Sequence, residues 1–250
     1  MQATADHDAH ADHAAPALPR AAAPVAPSAP LPYLLHLADN ALVLGQRNAE
    51  WCGHAPILEE DLAMANNSLD LIGQARLLYQ HAAERLNHDV RAPRGAAWPA
   101  GPITEDTLAY FRGDTEFRNY VMLELPHHTG VVPAAGGTRD WLVRLGDGTD
   151  ESHRRAQAAL DYLMPFTAEF WSASALETEA IDQGAGVDAP SLRAAWEQIV
   201  DEAIAEATLK RPADTKRYVP EGKRGVHSEY LSYLLGEMQS LARQHPGAVW

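Results

Sequence analysis

Two helical patterns joined by a short elbow constrain the fold of this chain more than any other feature. Apolar residues recur three and four positions apart from Leu34 to Leu42, which predicts a helix running to about Asn48. The period breaks over residues 51–55, and Pro56 restarts it together with three acidic residues, because proline and carboxylates both suit the first turn of a helix. This second pattern predicts a helix to about Leu86, long enough to be the central rod of a helical bundle.

Further helical patterns follow along the rest of the chain. Alanine and leucine are abundant and alternating Val, Ile and Thr are few, which favours helices because unbranched side chains keep most of their rotamer freedom there. We therefore expect an all-α fold. The later helical patterns cover residues 103–125, 149–163, 166–180, 190–203 and 228–244, with interruptions expected at Gly113 and Pro165. The second helix carries two apolar stripes and is apolar over a wide arc, so we expect it to pack on several neighbours. The side chains expected to face the core are Leu58, Leu62, Ala65, Leu69 and Ile72 of its first stripe, Leu71, Ala75, Leu78 and Ala82 of its second stripe, Leu192, Trp196, Ile199 and Ala203 of the helix that Pro190 opens, and Leu231, Leu234, Leu235, Met238 and Leu241 of the last helix.

The first thirty residues differ in composition from everything that follows. Residues 1–30 consist mainly of Ala, Pro, His and Asp, with almost no large apolar side chain. Nothing in such a segment offsets the entropy that is lost on ordering. We expect a disordered tail over residues 1–30 and a single helical domain over residues 31–250.

The charge balance and the cysteine content narrow the possible partners and compartment. Acidic residues outnumber basic ones, 34 against 20, which gives a formal charge of −14 and makes nucleic acid an unfavourable partner. The single cysteine, Cys52, has no second cysteine for an internal disulfide, which fits a reducing compartment. No stretch has the length of a membrane-spanning helix or the pattern of a signal peptide. We expect a cytoplasmic protein that contacts no membrane.

A helical bundle raises the possibility of a di-iron carboxylate centre, which takes one Glu from each of two helices and a Glu-x-x-His pair from each of the other two. None of the firmly predicted helices contains a Glu-x-x-His pair. Glu50 and His54 are four residues apart, but the elbow separates them. Gly73 stands three residues after Asp70, where a histidine ligand is needed. The sequence therefore predicts neither metal ligands nor catalytic residues in this chain.

Two small groups of polar residues are open to more than one interpretation. Asp39, Asp70 and Gln74 form either a leftover polar network on the bundle interior or ordinary exposed and hydrogen-bonded positions on helix faces. Cys52 and His54 could act as a thiol nucleophile and its base, but no third orienting group is identifiable, so a packed elbow is the simpler interpretation.

The stretch between residues 209 and 225 is the one basic patch in an acidic chain. Its cations could receive the phosphates of a CoA-type ligand or an acidic partner surface. A solvated charged loop is the commoner explanation for such a stretch. The basic residues are Lys210, Arg211, Lys216, Arg217, Lys223 and Arg224.

One long segment, GQRNAEWCGHAPILEEDLAMANNSLDLIGQAR, closely resembles the C (PaaC-type) subunits of phenylacetyl-CoA 1,2-epoxidase complexes. Three further segments support the resemblance: WLVRLGDGTD, LRAAWEQIVDEAIAEATLKRP and KRGVHSEYLSYLLGEMQSLARQHPGAVW. It implies a ferritin-like helical bundle and a role in aerobic phenylacetate catabolism. It also implies that the catalytic A subunit holds the di-iron centre, that a reductase subunit supplies electrons from NADPH through FAD and an iron–sulfur cluster, and that the C subunit has lost the metal ligands and binds no cofactor. On this interpretation Glu50, Trp51, His54 and Glu59 form a structural or partner-binding elbow.

The chain departs from this family pattern between Leu125 and Trp141, where the resemblance implies about 40 further residues, the length of two helices with their connections. A bundle that lacks one or two helices exposes the apolar face that they covered, at about 25 cal/mol per Å² of lost burial. The leading hypothesis is a non-catalytic structural subunit that binds the catalytic A subunit and the other subunits of the complex. Two alternatives stay open: a ferritin-like di-iron oxygenase in its own right, and a truncated relative that no longer assembles.

Overall fold

Helices are the main secondary structure of the described residues, which contain no β-strand, and this confirms the predicted all-α class. The computed structural model describes residues 29–54, 58–89, 94–126, 143–144, 146–213, 220–246 and 248. Its helices are α1 (Leu31–Trp51), α2 (Leu58–His88), α3 (Glu105–Tyr110), α4 (Asp150–Leu163), α5 (Ala168–Trp171), α6 (Ala175–Asp182), α7 (Ala189–Glu206) and α8 (Glu229–Gln244). Short 3₁₀ turns lie at Asp114–Glu116, Val121–Glu124, Met164–Thr167 and Gly222–Arg224. Within these ranges the only β pairing is an isolated bridge between Glu221 and Val226.

α1 and α2 form the hairpin that the sequence predicts. The two helices approach closely at Gly45, where a Cβ atom would lie 3.1 Å from Cγ1 of Ile72. In the elbow between them Gly53 has a φ of +88°, a left-handed conformation that glycine adopts without strain. The backbone N–H of Gly53 donates to Oδ1 of Asp61 at 2.6 Å, which ties the elbow to the first turn of α2.

Two later helices begin as the sequence predicts. Thr149 caps α4, and its hydroxyl oxygen accepts a hydrogen bond from the backbone N–H of Ser152 at 3.2 Å. A proline lies in the first turn of α7, where its missing N–H leaves no intrahelical bond unmade. These local signals were sufficient because capping depends on residues adjacent in the chain.

The main core lies between α1, α2, α3 and α8. Its fully buried members include Leu34, Val43, Tyr79, Ala82, Leu108, Phe117 and Leu231. A smaller cluster joins α4 to α7, and a third joins α1 to α6. Ala29, which the sequence places in the tail, is buried, and its carbonyl oxygen accepts a hydrogen bond from Arg85. Pro30 is buried as well, residues 1–28 of the predicted tail lie outside the described residues, and the single domain over residues 31–250 stays a prediction.

The prediction of helix over residues 103–125 is largely wrong. Only α3 and two short 3₁₀ turns form there. Backbone N–H groups that would bond within a helix instead donate to side chains of other elements: that of Arg118 to Asp39 at 2.8 Å, and that of Tyr120 to Asn40 at 2.8 Å. Tertiary hydrogen bonds therefore replace the helical ones along this segment. The predicted helix 166–180 is likewise divided, because the chain is extended at Ser172 and Ser174 between α5 and α6.

Several apolar side chains that were expected in the core are exposed. The core positions Leu231, Leu234, Leu235 and Ala203 are buried as predicted, but Leu58, Leu62, Leu69, Ile72, Leu192, Ile199 and Leu241 are exposed. These leucines and isoleucines lie on helix faces that the other described segments do not cover enough to bury them. Despite this exposed apolar surface, no helix in the described residues combines the length and the hydropathy that crossing a bilayer demands.

Candidate functional site

Three buried acid–base pairs lie in the interior formed by the described residues. In each pair the two side chains are at most 11% exposed, so solvent screens their interaction little. The pairs are Asp39 with Arg112, Glu124 with His227, and Glu177 with Lys223.

Asp39 of α1 lies at the centre of the first pair, and all of its carboxylate interactions are with donors of the protein. The Arg112 guanidinium donates to both carboxylate oxygens, the hydroxyl of Tyr79 donates at 2.6 Å, and the backbone N–H of Arg118 donates at 2.8 Å. Nε of Arg112 also donates to the carbonyl oxygen of Leu108 at 2.6 Å. Burial alone would lower the pKa of Arg112, but the charge and hydrogen bond of Asp39 together with the charges of Tyr79 and Glu116 outweigh burial, and the pKa is raised. Burial raises the pKa of Tyr79 well above its ordinary value.

The second pair joins Glu124 to the residues that precede α8. Nδ1 of His227 lies 2.5 Å from Oε1 of Glu124, and Nε2 lies 2.9 Å from the carbonyl oxygen of Phe117. Both ring nitrogens face oxygen atoms that can accept, which favours the doubly protonated imidazolium. The N–H and the hydroxyl of Ser228 donate to Oε2 of Glu124 at 2.9 and 2.6 Å. Burial lowers the pKa of His227, but the hydrogen bond and charge of Glu124, the carbonyl oxygen of Phe117 and the charge of Asp39 together outweigh burial, and the pKa is raised.

The third pair lies where the turn 222–224 meets α5 and α6. Nζ of Lys223 donates to Oε2 of Glu177 at 2.7 Å and to the carbonyl oxygen of Ser172 at 2.6 Å. Beside it Glu169 accepts the backbone N–H of Lys223 at 3.1 Å and the backbone N–H of Val121 at 2.8 Å. Burial raises the pKa of Glu169. The cluster holds three segments of the chain together.

These carboxylates do not fit a metal centre. Each one is engaged by a side-chain cation or by backbone N–H donors, and a metal ion would have to displace a buried Arg, imidazolium or Lys to reach its oxygens. The described residues contain no group of three or more His, Cys, Asp or Glu side chains arranged to hold a metal ion. The arrangement is suited to holding segments of the chain in register.

The predicted polar face of Asp39, Asp70 and Gln74 does not form. Asp39 is fully buried, whereas Asp70 and Gln74 are exposed on α2. Asp39 instead contacts Tyr79, which shows that a different side of α2 faces α1. Of the two interpretations, ordinary exposed positions describe Asp70 and Gln74, and a buried network of other residues surrounds Asp39.

The elbow residues contact one another and nearby residues of the chain. Glu50 pairs with Arg47 at 2.7 Å, and the rings of Trp51 and His54 lie 5.7 Å apart. His54 and Glu59 are exposed. Sγ of Cys52 donates to the carbonyl oxygen of Asn48 at 3.7 Å, an ordinary contact of a packed elbow. Whether the exposed elbow residues bind a partner stays a prediction.

The basic stretch is not a uniform cationic surface. Lys223 is 3% exposed and turned towards Glu177, so it is no phosphate ligand, and this part of the prediction is wrong. Arg211 pairs with Asp201, and Arg224 pairs with Glu221, which reduces the charge that each could offer to an anion. Lys210 is exposed. The remaining predicted residues, Lys216 and Arg217, lie outside the described residues.

The sequence analysis did not single out Arg112, Glu124, His227, Glu169 or Glu177, and it placed Lys223 in a basic patch. The members of the three pairs are 73, 103 and 46 positions apart in the chain. No local spacing connects residues at such separations. One signal was present in the sequence: charged residues in otherwise apolar neighbourhoods need partners when they are buried.

The chain is similar to known proteins over most of its length. A family model described as "Phenylacetic acid catabolic protein" matches residues 19–131 and 136–250. The chain is 38% identical to the C subunit of the 1,2-phenylacetyl-CoA epoxidase of Escherichia coli (strain K12) over 257 aligned positions, which cover 87% of this chain and 98% of the relative.

The same alignment bears on the segment that the sequence analysis found to be missing. Because 257 aligned positions take in only 87% of the 250 residues of this chain, about 40 positions of the alignment have no counterpart here. The family match is interrupted at residues 132–135, inside the interval between Leu125 and Trp141. The interruption of the family match thus lies in the interval where the resemblance implies the missing residues.

Proposed function

The chain belongs to the family of phenylacetic acid catabolic proteins, and from this premise we propose that it is the non-catalytic structural subunit of a cytoplasmic, multicomponent di-iron monooxygenase that epoxidises the aromatic ring of phenylacetyl-CoA. Its relationship to the C subunit of the bacterial epoxidase supports a role in phenylacetate catabolism. In this proposal the di-iron centre belongs to the catalytic A subunit. Electrons from NADPH arrive through the FAD and iron–sulfur cluster of a reductase subunit.

The observation that carries the non-catalytic role is the pairing of buried carboxylates with protein cations. A di-iron centre needs carboxylates and histidines whose lone pairs are free to bind metal. Here Asp39 is neutralised by Arg112 and Glu124 by His227, and Gly73 of α2 has no side chain to offer a ligand. The interior charges are thus used to fix the fold.

A scaffold role requires binding to the catalytic subunit, and co-expression tests it. We expect the two chains to elute together in size-exclusion chromatography at micromolar concentrations, with epoxidase activity that depends on the catalytic subunit. Separate elution of two folded chains would contradict the proposal. Glu59→Ala and His54→Ala, at exposed elbow positions, test whether the elbow contributes to the affinity, with Leu192→Ala on α7 as the matched control at an exposed position.

One observation favours a second candidate, a truncated relative that no longer assembles. The apolar face of α2 is exposed in a chain that lacks about 40 positions of its relative. Thermal unfolding of the purified chain separates the two candidates. A single cooperative transition supports a folded subunit, whereas the absence of a transition supports the truncated relative.

A further inference from the structure

A polar cleft of about 200 Å³ lies between α8 and the 3₁₀ turn that follows α3. Nothing from the other described segments lies within 4 Å of the place where a Cβ of Gly236 would be, and a Cβ of Gly113 would meet only Oε2 of Glu116, at 3.7 Å. The two glycines therefore leave the cleft open. Pockets for drug-sized ligands measure about 300–1,000 Å³, so this cleft suits a smaller molecule. α8 contributes Ser232, Leu235, Gly236, Gln239 and Arg243 to its lining.

A fixed carboxylate lies at one end of the cleft. Oδ2 of Asp114 accepts a hydrogen bond from the hydroxyl of Ser232 at 2.7 Å, and Oδ1 accepts one from the backbone N–H of Thr115 at 2.7 Å. The hydrogen bond from Ser232 is the main reason why the pKa of Asp114 is lowered, so the group is charged at neutral pH. Each oxygen keeps a second lone pair for a further donor.

An arginine lies at the other end, oriented by the backbone at the end of α3. Nε of Arg243 donates to the carbonyl oxygen of Tyr110 at 3.0 Å, and Nη2 donates to that of Arg112 at 3.0 Å. Among the described residues Nη1 has no hydrogen-bond partner. A guanidinium held in this way is pre-organised, so it loses little side-chain freedom when its remaining N–H groups bind a carboxylate.

Gln239 supplies a third polar group to the lining. Its side chain belongs to a residue that is 2% exposed, and its Nε2 donates to the carbonyl oxygens of Ala109 and Arg112 at 3.0 and 3.1 Å. These two bonds fix the orientation of the amide and leave Oε1 without a donor among the described residues. Buried amide oxygens normally have a donor, so Oε1 is suited to an N–H group of a ligand in the cleft.

The two charged ends are too far apart to pair with each other. Gln239 and Arg243 donate to the same carbonyl oxygen of Arg112, so the guanidinium lies level with Gln239, whereas the Asp114 carboxylate lies level with Ser232. The rise of α8 between positions 232 and 239 is about 10 Å, beyond the reach of about 4 Å that a salt bridge has. A ligand that joins the two ends must itself carry a cation and an anion.

We propose that this cleft binds a free basic amino acid of the lysine type. The α-carboxylate pairs with Arg243, the α-ammonium donates to Oε1 of Gln239, and the side-chain ammonium pairs with Asp114. The polymethylene stem lies over Gly236 and beside Leu235, which is 5% exposed. This site takes a small ligand and is independent of the binding of the catalytic subunit.

NMR titration of the ¹⁵N-labelled full chain with L-lysine tests the proposal. We expect saturable binding at one site per chain. Each of three probes lacks one charged group of lysine: L-norleucine the side-chain ammonium, 6-aminohexanoate the α-ammonium, and 1,5-diaminopentane the carboxylate. Each probe should bind about threefold to tenfold more weakly than L-lysine, the range for a half-exposed contact between charged groups.

Two variants assign each end of the ligand to its residue. With Asp114→Asn, L-lysine should bind no better than L-norleucine, and with Arg243→Gln it should bind no better than 1,5-diaminopentane. A general loosening of the structure would weaken all the probes together and would not remove one preference alone.

A pair of glycine variants tests the position of the site. Gly236→Leu should abolish binding by filling the cleft, whereas Gly73→Leu on α2, where a Cβ also meets no described atom within 4 Å, should leave it unchanged. Circular dichroism of every variant verifies that the helices are retained. The proposal is overturned if the folded natural chain does not bind L-lysine saturably, if Asp114→Asn keeps the preference over L-norleucine, or if a folded Gly236→Leu variant binds as the natural chain does.

Discussion

Removal of the Asp39 carboxylate should be among the most damaging single changes in this protein. Asp39 and Arg112 have side chains 0 and 2% exposed, so Asp39→Ala leaves a guanidinium buried without its counter-charge. Breaking a buried ion pair from one side costs about 3–5 kcal/mol. The change also deprives the Tyr79 hydroxyl and the Arg118 N–H of their acceptor. Since domains of this kind have a free energy of unfolding of about 5–15 kcal/mol, the loss is a large fraction of the total.

The matched control replaces both charges. Asp39→Leu with Arg112→Met fills a similar volume with apolar groups, and such replacements of a buried ion pair are often neutral or stabilising by about 1–4 kcal/mol. The double variant should therefore cost clearly less than Asp39→Ala, although the Tyr79 hydroxyl and the Arg118 N–H lose their acceptor in both. Tyr79→Phe, which removes one buried hydroxyl, should cost about 1 kcal/mol. Urea unfolding followed by circular dichroism gives the free energy of unfolding for each variant. If Asp39→Ala costs less than about 1 kcal/mol, the structural role assigned to this pair is wrong.

Two further predictions concern the other buried clusters. Because Glu124 helps to raise the pKa of His227 in the folded state, the pair stabilises the fold fully at pH values below the unfolded-state pKa, and this contribution is lost as the pH rises through the folded-state pKa. The urea midpoint should therefore decrease as the pH is raised above the ordinary histidine pKa of about 6.5, and His227→Gln should flatten this dependence. Gly222→Ala should destabilise by about 1–3 kcal/mol, because the added Cβ would collide with the carbonyl oxygen of Asn119. Gly236→Ala in α8 is its control: no described atom lies within 4 Å of the new Cβ, so urea unfolding should show a gain of up to about 1 kcal/mol from helix propensity.

The hairpin of α1 and α2 could be predicted because its signals are local. Pro32 in the first turn, the apolar period and the break at the elbow all act over a few residues. The same holds for the Thr149 cap. Where local signals and tertiary contacts agree, the sequence pattern is a sufficient guide.

The segment after α3 could not be predicted because its backbone bonds to distant partners. Its apolar residues repeat with a helical period, yet the N–H of Arg118 and the N–H of Tyr120 donate to α1 side chains 79 and 80 positions away. Helical propensity is a weak preference that such hydrogen bonds override. The period marked which side chains are buried, among them Phe117 and Val121, without fixing the backbone.

For the candidate site, the sequence predicted only that a histidine ligand is missing beside Asp70. The missing histidine at Gly73 was visible from spacing, because two ligands on one helix must be three or four residues apart. The cations that occupy the interior were not visible, because Arg112 and His227 meet their partners through the tertiary fold. Lys223 was assigned to a surface loop because its neighbours in the chain are polar and basic, whereas the turn directs it inward onto Glu177.

Native mass spectrometry of this chain co-expressed with the catalytic subunit in iron-supplied cells tests the central claim most directly. It reports the mass of the complex and, after dissociation in the gas phase, the iron that each chain carries. The account predicts a complex of the two chains in which the catalytic subunit alone carries iron. Iron in stoichiometric amount on this chain, or two folded chains that form no complex, would contradict it.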